Sequence, residues 1–218
     1  MDTVYMRTII DQCIDHEHRT SELAWLLRSR LQSLHSTIRV NAPNPAIYLL
    51  DFVERYVGRL PDVLDAMWDI SRQQSTDDVA ETVIDRCVEF FVSPPQLLLG
   101  HNGLNGAMNT AYMALRLVEE INDYHLLSRG RALLPLDTTG SNLVVHQLIG
   151  ESFANQLDEA VRLIAAELIA QWGSPQSGST RETSIPHLSE ILQRWPCLRD
   201  CLGGDMLRLG VFATPSVH

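Results

Sequence analysis

Apolar residues recur every three or four positions along almost all of this 218-residue chain, and clusters of Pro and Gly break the pattern at only a few points. That spacing is the period of an α-helix, and no long stretch shows the two-residue alternation of a half-buried strand. The breaks divide the pattern into four long predicted helices. The first spans about 4–40 and is stopped by Pro43 and Pro45. The second runs from about Pro45 to Arg72, interrupted at Pro61. The third occupies roughly 102–128 and ends at Gly130, where a left-handed residue would close it. The fourth starts from an N-capping Ser141 and continues to about Trp172. A shorter helix, TDDVAETVIDRCVEFFV, sits between the second and the third.

Short links favour antiparallel neighbours, whereas the long second-to-third connection lets those two helices run parallel. The expected fold is therefore all-α: an up-down bundle of four long helices with one long crossover and short extra helices, a layout similar to that of ferritin-like folds. Residues 1–172 would form this bundle. Residues 173–218 begin with GSPQSGSTRETSIP, a linker of flexible composition, and carry a short helix, HLSEILQRW, packing on or extending from the bundle.

Charge limits the partners. The formal net charge of −10 opposes nonspecific binding to nucleic acid or an anionic membrane, which needs a basic surface. No apolar run approaches the roughly 18 residues of a membrane span. The N-terminus, MDTVYMRTIIDQCIDHEHRT, lacks the features of a secretion signal, so a cytoplasmic location is expected. Reduced thiols are then the default for Cys13, Cys87, Cys197 and Cys201. Long apolar helices favour a homo-oligomer, most simply a homodimer.

A carboxylate di-iron centre needs Glu-x-x-His on two helices, so that both side chains share a face. That spacing is missing: Glu120 and His125 are five apart, as are His146 and Glu151. Helical phase raises a different possibility. His16 falls on the apolar stripe of the first helix, between Cys13 and Leu23. His125 continues the stripe Ala107, Ala111, Ala114, Val118 and Ile121, and His146 precedes the stripe Ile149, Phe153 and Leu157. Folding the third and fourth helices about the middle of their link puts His125 level with His146. Imidazole is a common ligand for transition metals and haem and titrates near neutrality. His16, His125 and His146 are thus candidate ligands for iron, another transition metal or haem, with Glu120 and Glu151 as nearby catalytic groups.

The segment GHNGLNGAMNTAYMALRLVEEINDYH also carries a polar stripe through Asn105, Asn109, Arg116, Glu120 and Asp123. Asparagine is a poor helix former, and three of them beside Gly103 and Gly106 weaken that helix start. Asn105, Asn109 and Arg116 could contact a small-molecule ligand or cofactor; the plainer reading makes the stripe a wet or loop-packed edge, with Arg116 paired to Glu119 or Glu120. Glu120-x-x-Asp123 resembles the acidic element with which all-α nucleotide pyrophosphatases position Mg²⁺ on triphosphates. That resemblance implies a Mg²⁺-dependent hydrolase using Glu120, Asp123, Glu151 and Asp158. It covers four residues, and the paired upstream acidic element is missing. Three functional expectations follow: a metal- or haem-binding oxidoreductase, a noncatalytic acidic regulatory protein, or such a hydrolase.

Overall fold

The structure is a computed structural model that describes residues 3–74, 77–130, 132–134, 138–172 and 207–209. Its helices are α1 (Thr3–Thr20), α2 (Glu22–Arg30), α3 (Pro45–Gln74), α4 (Asp77–Val92), α5 (Gly103–Arg129), α6 (Thr139–Ile149) and α7 (Glu151–Gln171). The all-α expectation holds. Two three-residue strands, β1 (Ile38–Val40) and β2 (Leu207–Leu209), pair antiparallel with Ile38 opposite Leu209. The sequence reading gave β1 to the first helix. The expected short helix HLSEILQRW and the linker before it lie outside the described residues. No helix among the described residues is long and apolar enough to cross a membrane.

The architecture is organised around α5, which touches α1, α3, α4, α6 and α7. Every residue from Gly106 to Leu115 is buried, so this helix is enclosed on all sides rather than amphipathic. The expected apolar face is confirmed, because Ala107, Ala111, Ala114, Val118 and Ile121 are all buried. Gly130 closes α5 in the left-handed conformation, with φ 70°, as its position predicted. Surrounding a central helix in this way does not by itself make the four-helix, one-crossover layout, and the first and last of the four expected helices are each broken in two.

The first break follows Thr20. Ser21 adopts φ 57°, and Glu17, only 2 % exposed, folds its carboxylate over the new helix start. Glu17 Oε2 accepts from Leu23 N (2.8 Å) and Oε1 from Ala24 N (2.9 Å), satisfying two otherwise free donors of α2. Glu17 therefore takes the inward position assigned to His16. The His16 side chain is 44 % exposed and lies 3.7 Å from Glu22.

The second break is at Gly150, between α6 and α7. A continuous helix would hold His146 and Asp158 about 18 Å apart at 1.5 Å per residue. Instead His146 Nε2 lies 3.7 Å from Asp158 Oδ2, because the chain reverses at Gly150. Its φ of 99° with ψ 133° is a conformation open essentially to glycine alone. The one expected helix is thus a hairpin. By contrast, α3 passes through Pro61 without the expected interruption. Leu60, Val63, Leu64 and Met67 are fully buried around it, so packing carries the helix across the missing hydrogen bond.

The link before α6 also departs from expectation. Leu134 N donates to Asn122 Oδ1 (2.8 Å), so the chain has already doubled back along the last turns of α5 before α6 begins. α6 then starts beside Asn122 rather than beyond the end of α5. The pairing of His125 with His146 is shifted by about three turns as a result.

The two breaks make a stability prediction. Gly150→Ala should lower unfolding free energy by roughly 1–3 kcal/mol through backbone strain. The Arg30 guanidinium, 2.7 Å from the site of an added Cβ, can swing aside and adds less. Gly58→Ala, inside α3 with open space around it, should be neutral or stabilising by up to about 1 kcal/mol. Urea unfolding of both variants measures the contrast, and equal effects would refute it.

Candidate functional site

A pocket of 530 Å³ opens between the C-terminal half of α5 and the α6–α7 hairpin. It gathers polar groups from three helices around a half-buried charge. Tyr112, Arg116, Glu119 and Asp123 reach it from α5, spaced at three or four residues along one face. Asn142 and His146 come from α6, also four apart, and Asp158 comes from α7. Thr138, at the N-cap of α6, completes the wall.

Arg116 is the centre of this group. Its Nε donates to Asp158 Oδ1 (3.2 Å), Nη2 to Glu120 Oε1 (3.0 Å) and Nη1 to Glu119 Oε2. The expected pairing of Arg116 with its own-helix acids is therefore present with both of them, and Asp158 adds a tie to α7. Asp158 Oδ1 also accepts from the Tyr112 hydroxyl (2.9 Å). His146 Nε2 donates to Asn155 Oδ1 (3.1 Å), and its ring meets Tyr112 edge-on at 6.2 Å.

The charges respond to this crowding. Burial works against the Arg116 charge, but Glu119 and Asp158 more than offset it and raise the guanidinium pKa further. Burial and the adjacent Asp158 carboxylate push the Tyr112 phenol up. Burial also pushes the Glu119 carboxyl up; Arg116 and Asn142 pull it back, and Asp123 raises it again. Glu119 and Asp123 are like charges one turn apart, an arrangement that costs energy unless something positive lies between them.

Two of the lining residues hold a buried polar atom without a well-formed hydrogen bond, the Thr138 hydroxyl and Asn142 Nδ2, both closed to the cavity itself. Thr138 is 1 % exposed and Asn142 5 % exposed. A threonine at an N-cap ordinarily turns its hydroxyl onto the first free amides of its helix; Thr138 does not. Asn142 Oδ1 is engaged by the Tyr56 hydroxyl (2.6 Å), which fixes the amide. Nδ2 then faces Glu119, near enough to lower its pKa but without a well-formed hydrogen bond. Native interiors rarely leave such groups unpaired, and each exception needs a cause.

The residues singled out from sequence divide sharply. Arg116 and His146 line the pocket, and Glu120 supports it through Arg116. Glu151 is exposed at the start of α7 and is absent from the lining, so its assigned catalytic place beside Glu120 is not reproduced. Asn109 is buried and sits apart from this pocket, where its Nδ2 donates to His101 Nδ1 (3.0 Å). The His101 ring stacks on Phe153 at 4.6 Å. Asn105 is half-buried and is likewise outside the lining.

The three candidate metal-ligating histidines do not meet. The His16 ring is against Gly103, at the beginning of α5. His146 is beside Tyr112. His125 is 3 % exposed near the end of α5, edge-on to Tyr124. At 1.5 Å per residue, Gly103 and His125 are about 33 Å apart, and Tyr112 and His125 about 20 Å. His125 faces inward as its phase implies; the three histidines stay apart because Glu17 rather than His16 takes the inward position on α1 and the α5–α6 link doubles back. Among the described residues, no group of three or more His, Cys, Asp and Glu is placed to hold a metal ion. Cys13 and Cys87 are free thiols.

Tyr112, Thr138 and Asn142 were missed by sequence reasoning. One signal was available: Asn142 lies one turn before His146, so the two polar side chains share a face of the helix. The polar stripe of α5 is corrected in the same way. Its lower half is an interhelical polar seam, not a wet edge.

Because the folded state holds the Glu119 proton more tightly than an unfolded carboxyl does, this group lowers stability as pH rises from about 4.3 through its raised folded pKa. Glu119→Gln removes that titration. The stability of the wild type relative to this variant should therefore decline as pH rises above about 4.3 in urea titrations. A difference that grew with pH would show that Arg116 outweighs burial at this carboxyl. No protein-family model matches the chain, and neither the curated proteins nor the solved structures supply a match.

Proposed function

We propose that this protein binds a compact polar small molecule in the pocket between α5 and the α6–α7 hairpin, and that binding is its primary biochemical activity. The observation that carries this reading is the convergence of polar side chains from three helices on one cavity, with Thr138 and Asn142 among its lining residues each holding a buried polar atom that lacks a well-formed hydrogen bond. A buried polar group left unsatisfied costs about 1–3 kcal/mol. A ligand that turns either side chain toward the cavity and hydrogen-bonds it recovers that cost on binding. The pocket volume of 530 Å³ falls in the range of ordinary small-molecule sites.

A Mg²⁺-dependent hydrolase is the second reading. It is favoured by the approach of Glu119, Glu120 and Asp158 to one point and by Asp123 beside them. It ranks lower because those first three carboxylates already hold Arg116, and a divalent ion would have to displace the guanidinium. An oxidoreductase based on the three histidines loses its motivating geometry, since they stand at three different heights along α5.

Thr138→Val separates a binding group from a packing fault. Valine has nearly the shape of threonine and no hydroxyl, so the ligand-free variant should be at least as stable as the wild type. Thermal shift against a panel of ammonium compounds, polyols, carboxylates, phosphates and divalent cations should identify a class that raises the wild-type Tm. The variant should lose most of that response. A panel with no effect on the wild type, together with a higher Tm for the variant, would refute the reading.

A further inference from the structure

α2 presents a row of side chains that the rest of the fold leaves uncovered. Leu23, Ala24 and Leu27 form its buried face. Glu22, Trp25 and Arg28 are exposed and three residues apart, so they follow one another along the outer surface of the helix. Trp25 is 71 % exposed, although tryptophan is among the side chains that bury the most apolar area. It does not stand alone. Ile47, 46 % exposed at the start of α3, joins it in lining a hollow of 510 Å³. Scattered apolar side chains are normal on a surface; two from different helices in one hollow, flanked by charge, have the composition of an interface. Tryptophan and arginine are also the residues that most often carry binding energy there. None of this lining is shared with the pocket of α5.

The order of the charges identifies the occupant. Glu22 lies in the first turn of α2 and Arg28 in the last, as the helix dipole favours. Trp25 is midway, three residues from each. Turned end for end about Trp25, the row reads Arg, Trp, Glu. A two-fold axis crossing the row at Trp25 therefore sets Glu22 of one copy opposite Arg28 of the other, twice, and one indole against the other. Such self-complementarity is what an isologous dimer requires of its contact patch. Among the described residues Arg28 has no ion-pair partner, and Glu22 has the His16 ring at 3.7 Å. A ligand of one charge would leave either Glu22 or Arg28 unanswered; a second copy of the chain answers both.

We propose that Glu22, Trp25 and Arg28, with Ile47 beside them, form the contact surface of a two-fold dimer in which α2 packs antiparallel on its copy. The ion pairs fix the direction of the pairing, and the indoles with Ile47 supply most of the burial. The surface is small and each copy carries a net charge of −10, so the dimer is reversible and forms as concentration rises.

Sedimentation velocity of the full chain from about 5 µM to about 500 µM, a range suited to so small an interface, tests this. The wild type should pass from monomer to dimer, and Trp25→Ala should stay monomeric. Glu22→Arg and Arg28→Glu each put like charges opposite one another at both ends of the row, so each should weaken dimerisation by about tenfold or more. Mixed in equal amounts, these two variants should form a heterodimer about as tight as the wild-type dimer, because every acid then meets a base. All the altered side chains are exposed, and a thermal melt of each variant checks that the fold is kept. Should a reversal unsettle α2, whose dipole it opposes, Arg28→Gln gives the same reading with a smaller loss. A wild type that stays monomeric throughout overturns the proposal. So does a dimer that survives Trp25→Ala or the charge variants, and so do two reversed variants that remain monomeric when mixed.

Discussion

Arg116 is enclosed by Glu119 and Glu120 from its own helix and by Asp158 from α7, and the same Asp158 oxygen holds Tyr112. A half-buried guanidinium needs such partners, because a charge removed from water without compensation destabilises a fold by several kcal/mol. The carboxylates depend on it equally. Three acids around one point would repel strongly without a cation among them. This mutual dependence joins residues more than forty positions apart in the chain, and it fixes the height at which α7 meets α5. The pocket, its charge and the unpartnered groups of its lining residues all depend on that height.

The parts of this arrangement legible in the sequence were those governed by local rules. The span of α5, its apolar face, its glycine stop and the burial of His125 all follow from period and capping, and they are what the structure has. The pairing of Arg116 with acids one turn away is also a local property. What could not be read was set by tertiary contacts. His16 has the right phase for the core only while its helix continues. Glu17 ends that continuity by capping the next helix, an arrangement that depends on the left-handed turn at Ser21. In the same way, Asn122 captures the backbone of Leu134 and draws the following link back along α5, so a register counted from the middle of the loop fails by several turns. Pro61 shows the reverse case, where a strong local breaker yields to fully buried neighbours on both sides.

The polar stripe of α5 shows why composition alone misled. Asparagine, arginine and glutamate on one face usually mean solvent. Here part of that face is buried against α6 and α7, where polar groups must satisfy one another. Arg116 does so with three acids, and Asn109 in part, its Nδ2 donating to His101 while its buried Oδ1 has no partner. Thr138 and Asn142 likewise keep an unpartnered buried atom, and both residues line the pocket.

Gly150 also governs the dimensions of the molecule. Without the reversal, residues 139–171 would form a single rod about 50 Å long, against about 40 Å for α5. Such a rod could not lie wholly on the central helix. One end would project beyond it and carry apolar residues such as Val144, Val145 and Leu148, now buried, into water. Projecting apolar helix ends are surfaces on which chains adhere to one another. By folding the rod in half, one residue keeps both pieces within the length of α5 and converts what would have been an adhesive overhang into the wall of a cavity.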